Sequence, residues 1–203
     1  MNGLWRAAIG AALLVMVLCS PALAADPDEH KKACLPDQQK AADRALADAR
    51  SGVQRAIASL KAPSQTDVDR LQKWFGGLGS DTAENVQKVY ASSLGSAAFS
   101  QFWCPVSNDL AFKWGQGDLA AVHKAAPDSI YLTPDFFRLK VTGADSQMGT
   151  LIHELTHLAG VGLKEEVYGT SKAKALALTD PSKARNNSDN FQYYVEDLLF
   201  RLP

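Results

Sequence analysis

The sequence predicts an α+β domain, mostly helical, with a small β-sheet beside one function-bearing helix. Three observations carry this. Apolar residues recur every three and four positions over long stretches near both ends of the chain. Two short aromatic or branched segments, bounded by glycine and proline, interrupt that pattern in the middle. After them comes "LIHELTH", Leu151 to His157, in which two histidines stand four residues apart among apolar neighbours.

The first 24 residues read as a leader. Arg6, an apolar run from Ala7 to Leu18 and the small-x-small site Ala22-Leu23-Ala24 form a Sec-type signal peptide cut after Ala24. The run is too short to cross a bilayer comfortably, which favours removal over anchoring. Leu18 stands where a lipoprotein signal before Cys19 would want a small residue. Residues 25–203 then make one domain with room for a real core, and the expected location is the periplasm or the exterior.

Between Cys34 and Lys61, Leu46, Ala49, Val53, Ile57 and Leu60 line one helical face, and Pro63 ends it. Thr66 can cap a second helix through Val68, Leu71, Trp74 and Phe75, stopped by Gly76-Gly77. Asp81 to Glu84 resembles a capping box and starts a third, carrying Val86, Val89, Tyr90 and Leu94. Residues 111–114 ("AFKW") and 129–132 ("SIYL") read as strands, the second either a substrate-binding strand or a core strand. Asp145 or Ser146 caps the histidine helix, which runs to about Gly160. A last helix spans about Ser188 to Arg201, with Phe191, Val195, Leu198 and Leu199 on one face.

Charge excludes more than it suggests. Without Arg6 the mature chain holds 22 acidic residues against 20 basic ones, and no basic stripe of a nucleic-acid binder is present. No Walker loop, complete dinucleotide loop or Gly-x-Ser-x-Gly elbow occurs. Once the leader is cut, no membrane partner is expected. Cys34 and Cys104 then remain as an even pair in an exported chain, read as one disulfide, with two buried thiols as the alternative.

His153-Glu154-Leu155-Thr156-His157 is the helical zinc signature His-Glu-x-x-His. Residues four apart share a helix face, so both imidazoles reach one metal, and Glu154 between them is placed to take a proton from water. A catalytic zinc needs a third protein ligand. Leu163 holds the position of the third histidine of the extended pattern and cannot ligate. His30 and His123 are remote and read as ordinary histidines. Glu165, Glu166 and the distant Glu196 remain as candidates, the first two alternatively a solvated acidic pair.

The stretch "GLKEEVYG", Gly162 to Gly169, resembles the deuterolysin and peptidyl-lysine metalloendopeptidase family, the aspzincins, whose motif continues Gly-Thr-x-Asp-x-x-Tyr-Gly. "WFGGLGSDTAENV" (74–86) and "AKALALTDPSKARNNSDNFQYYVED" (173–197) carry the likeness over nearly the whole mature chain. The resemblance implies a zincin-like metalloendopeptidase with one catalytic Zn2+. It places Glu165 at the third-ligand aspartate, a longer side chain on a connection one residue shorter, while counting from His157 favours Glu166. It makes Tyr168 the oxyanion donor, the alternative being a packed tyrosine, and matches Cys34 and Cys104 to a family disulfide. It puts Asp189 at the acidic specificity pocket of the lysine-directed members, with Gln192 replacing a second acid; Asp189 also suits a helix cap.

The expected protein is an exported metalloendopeptidase, a monomer acting on protein or peptide. Since only residues 25–33 precede Cys34, export or a separate inhibitor would restrain it. The competing expectation is a non-catalytic peptide-binding module that keeps the fold.

Overall fold

The computed structural model describes residues 31–77, 79–98, 100–104, 118–123, 125–158 and 163–203. The leader, His30, the "AFKW" segment, Gly160 and Gly162 lie outside them.

Helix α1 spans Pro36–Lys61 and buries Ala42, Ala45, Leu46, Ala49, Val53, Ala56 and Leu60. Mostly small residues on that stripe let other helices approach closely. Helix α2 spans Gln65–Phe75, and its cap lies two residues before the expected Thr66. Ser64 is its cap, its hydroxyl accepting from the Asp67 N–H while the Asp67 carboxylate accepts from the Ser64 N–H. It ends at Gly76 in the left-handed region, as the glycine pair suggested. Helix α3 covers Ser80–Ala97 and buries Val86 and Tyr90.

Three strands follow, β1 (Gln101–Trp103), β2 (Ala120–His123) and β3 (Ala126–Leu132), in the order β1-β3-β2. Strand β3 contains the "SIYL" segment and is the centre of the sheet, parallel to β1 and antiparallel to β2. With both sides paired, its backbone has no free edge for a substrate, so "SIYL" is a core strand. A 3-10 turn over Phe136–Arg138 leads to α4, Gln147–His157, capped by the Ser146 hydroxyl, which accepts from the Gly149 N–H. Then come α5 (Thr170–Thr179), a short α6 (Pro181–Ala184) and α7 (Ser188–Phe200).

One apolar cluster joins these elements. At its centre Phe75 and Tyr90 both meet the ring of Phe191 edge-on, at 4.8 and 5.3 Å between centroids. Several polar groups buried there are paired. The Trp74 indole donates to Asp197, the Tyr90 hydroxyl donates to the Phe191 carbonyl, and the Asn190 amide on α7 donates to the carbonyls of Trp74 and Ala173. Helix α4 is buried on nearly every side from Gln147 to Thr156. Among the described residues no helix is long and apolar enough to cross a membrane.

Cys34 and Cys104 form a disulfide across a sequence separation of 70 residues, tying the start of α1 to the end of β1. A closed loop of that size restricts the unfolded chain by about 4 kcal/mol in the chain-entropy treatment. The double variant Cys34→Ser, Cys104→Ser is therefore expected to unfold at lower urea concentration by roughly that free energy, and an unchanged midpoint would show that the link constrains little.

Candidate metal and catalytic centre

Because α4 is enclosed, its functional side chains are held by packing before any hydrogen bond is counted. His153 and Glu154 are buried, and His157 in the last turn is half-buried. The two imidazoles present their Nε2 atoms to each other at 3.1 Å. Their other nitrogens are engaged: His153 Nδ1 lies 2.8 Å from Asp189 Oδ1, and His157 Nδ1 lies 3.1 Å from the Leu163 carbonyl oxygen. Such partners fix the ring orientation and leave Nε2 for a metal. Ser188 Oγ, which accepts from the Thr156 hydroxyl, also lies 3.1 Å from His157 Nε2. The role of Leu163 is carried by its backbone, so an apolar side chain at that position is no sign of decay.

The third candidate group is Glu166. Among the described residues, the set able to surround one ion is His153, His157 and Glu166, with ligand atoms within 4.8 Å of one another. Glu166 Oε1 is 3.9 Å from His157 Nε2. Atoms bound to a tetrahedral zinc at about 2.0–2.1 Å stand about 3.3 Å apart, and the observed spacings bracket that value, so the residues fit the ion.

Glu165, the residue favoured from the family motif, is not in this set. Residues 164–167 run extended against 186–187: the N–H groups of Lys164 and Glu165 donate to the Asn186 carbonyl, and the Asn187 side-chain amide pairs with both backbone groups of Val167. In an extended segment alternate side chains face opposite ways. Glu165 and Val167 turn inward and are half-buried, whereas Glu166 and Tyr168 are exposed on the other side. The Tyr168 hydroxyl donates to Glu166, and its ring stacks on His153 with centroids 5.8 Å apart. Glu196, the more distant alternative, is directed to the opposite end of α4, where it accepts from Ser146.

Asp189, expected at an acidic pocket or as a helix cap, lines a cavity and is also hydrogen-bonded. It sits in the first turn of α7, where one carboxylate oxygen meets His153 and the other accepts from the Gly169 N–H at 2.6 Å. Gly169 has φ +94°, a conformation that suits glycine and aims its N–H at Asp189 as α5 begins. Asp189, Glu154, Tyr168 and Gln192 nevertheless line a cavity of about 380 Å³, together with Asp118 and Asp145 at its exposed rim. Strand β2 begins at Ala120 on the same wall, on the outside of the sheet. His123 lies in β2 and takes no part in the centre.

Electrostatics follows from burial. Burial pushes the Glu154 carboxyl up to about 7, partly offset by His153. Burial would lower His153, but the Asp189 hydrogen bond and surrounding carboxylates outweigh it and raise the ring above its usual value. Burial and repulsion from His153 hold His157 below its usual value. Glu196 is also pushed up to about 7 by burial, against the hydrogen bonds it accepts from Ser146. The folded chain thus keeps protons on Glu154 and Glu196 that the unfolded chain gives up near pH 4.5. The unfolded state then binds fewer protons, so these groups erode stability as pH rises from about 4.5 to about 7. In metal-free protein, replacing Glu196 with Gln is expected to flatten that slope by an amount on the order of 2–3 kcal/mol between pH 4.5 and 8. Urea unfolding of both proteins at several pH values, with equal slopes, would count against it.

Comparisons with known proteins identify the family. The sequence profile of the family described as lysine-specific metallo-endopeptidase, the aspzincins, matches residues 60–196. An extracellular protease of Aeromonas hydrophila is 34% identical over 78% of this chain and 44% of its own length. A peptidyl-Lys metalloendopeptidase of Grifola frondosa is 32% identical over 81% of this chain and 45% of its own. The chain therefore spans less than half the length of these two curated relatives. A solved structure titled zinc peptidase from Grifola frondosa superposes with a TM-score of 0.70 and 30% identity, over 82% of this chain and 99% of that one.

Proposed function

The chain belongs to the lysine-specific metallo-endopeptidase family, and from that membership we propose that it is an exported, zinc-dependent endopeptidase. The observation that carries the reading is the pair of Nε2 atoms 3.1 Å apart, with Glu166 in reach, beside a buried glutamate that opens onto a cavity. His153, His157 and Glu166 would hold one Zn2+. Bound there, the ion supplies Lewis acidity, polarising the scissile carbonyl and acidifying a water.

The chain's own groups do the rest. An extended peptide lies along the outer edge of β2 and fills the cavity beside α4 with one side chain. The Glu154 carboxylate accepts a proton from the attacking water and passes it to the nitrogen of the leaving amine. The Tyr168 hydroxyl, released from Glu166, donates to the carbonyl oxygen as negative charge grows there. Asp189 keeps His153 in the tautomer that offers Nε2. Asp118, Asp145 and Asp189 give the cavity an acidic lining that favours a basic side chain such as lysine. Because Gln192 is neutral and Asp189 is already engaged, the preference is weaker than two free carboxylates would give.

The disulfide suits an oxidising compartment after cleavage of the leader at Ala24, and the similar Aeromonas hydrophila protein is an extracellular protease. Residues 25–203 would work as a monomeric single domain on protein or peptide substrates. The test is digestion of an unfolded protein by zinc-loaded enzyme, with the fragments mapped by mass spectrometry. Cleavage next to lysine above other residues, stopped by a zinc chelator, is the expected result. Intact substrate with folded, zinc-loaded protein would refute the reading.

A further inference from the structure

Helices α4 and α7 are joined by two carboxylates of α7 placed two turns apart. Asp189 meets His153 at the functional end of α4, and Glu196 meets Ser146 at its start. The steps match: seven residues along α7 correspond to seven along α4 in the reverse direction, so the helices run antiparallel in one register.

Glu196 is fully buried, and its oxygens are surrounded by donors. Oε1 accepts from the Ser146 N–H at 2.9 Å and the Ser146 hydroxyl at 2.7 Å. Oε2 accepts from the Asp145 N–H at 3.2 Å and from the Gln192 amide at 3.4 Å. Ser146 relays the contact inward, since its hydroxyl oxygen also accepts from the Gly149 N–H at 3.0 Å. The carboxylate thus stands at the positive end of the α4 dipole, supplied by another helix. The fold makes space for it: a Cβ on Gly149 would fall 2.0 Å from Glu196 Oε1. Asp145 adopts φ +55°, uncommon away from glycine, which belongs to the same turn; its carboxylate accepts from the Tyr193 hydroxyl at 2.6 Å.

We propose that Glu196 is a positioning residue: by clamping the start of α4 to α7, it sets the axial register at which His153 meets Asp189 and its Nε2 faces His157. The proposal rests on the reading of His153 and His157 as metal ligands. It assigns Glu196 no contact with substrate or ion.

The test compares wild type, Glu196→Gln and Ser146→Ala at pH 8. Zinc affinity is measured by chelator competition, the visible spectrum after cobalt substitution, kcat and KM separately, and the folded fraction by circular dichroism. Glutamine keeps the length but turns a donor toward the Asp145 N–H; alanine removes the relay and leaves Glu196 untouched. Both variants are expected to stay folded, bind zinc about 10-fold more weakly, alter the cobalt bands, and lose about 10-fold or more in kcat with KM within about twofold. Gly149→Ala, which displaces the carboxylate from the other side, is expected to reproduce the effect.

Folded variants with zinc affinity, cobalt bands and kcat all within about twofold of wild type overturn the clamp. A loss of affinity that vanishes once corrected for folded fraction also overturns it, leaving Glu196 a stabilising residue only. If wild type binds zinc but cleaves no peptide, the hydrolase reading fails, and the affinity ratio and cobalt spectrum still decide this one.

Discussion

Glu154→Gln is expected to lower kcat/KM by about 10³-fold or more while zinc stays bound. General base and acid roles of a positioned side chain are each worth about 10²–10⁴-fold, and an amide of the same shape serves neither. The substitution removes no ligand, and it relieves the burial that pushes the carboxyl up to about 7, so folding is not expected to suffer. In wild type the ionised form is the base, so activity should rise with pH through the Glu154 titration. A bound cation favours the carboxylate, and the acid limb should therefore lie below 7. Steady-state kinetics against pH, beside metal analysis of the variant, check both statements. Substantial turnover by Glu154→Gln would remove Glu154 from the chemistry.

The second large effect separates two adjacent glutamates. Glu166→Ala is expected to weaken zinc binding by more than about 100-fold, since partners that merely orient a ligand are already worth about 10–100-fold. Glu165→Ala should keep the metal, because that side chain turns away from the histidines. Zinc titrations of the two variants decide it. Loss on Glu165→Ala alone would mean that the segment rotates when metal binds, trading its hydrogen bonds to Asn186 for a different register.

These two residues mark where the sequence stops being legible. Helices α1 to α4 and α7 were readable because each carries an apolar stripe long enough to set a period. Helix α5 buries only Ala173 and Ala177, too little to give one, and α6 is a single turn. Strands β1 and β2 have weak strand character alone; they form because β3 supplies a partner on each side. Within the centre, His153, Glu154 and His157 follow from one helix and one spacing. The choice between Glu165 and Glu166 does not, since their directions depend on Asn186 and Asn187, about twenty residues further along the chain. Nor could the sequence reveal that Asp189 would be taken up by His153, or that Ser188, Thr156 and Glu196 would complete the polar seam between α4 and α7.

That seam also orders events in time. A chain emerging from its N-terminus presents the His-Glu-x-x-His helix and Glu166 before any residue of α7 exists, and until α7 docks His153 lacks the carboxylate that holds its ring. Docking of α7 onto α4 can only follow synthesis of α7. An ordered His153 ring is then acquired only once α7 is in place. On the proposed reading, a nascent copy and a product truncated before Ser188 would both lack the Asp189 carboxylate that holds His153.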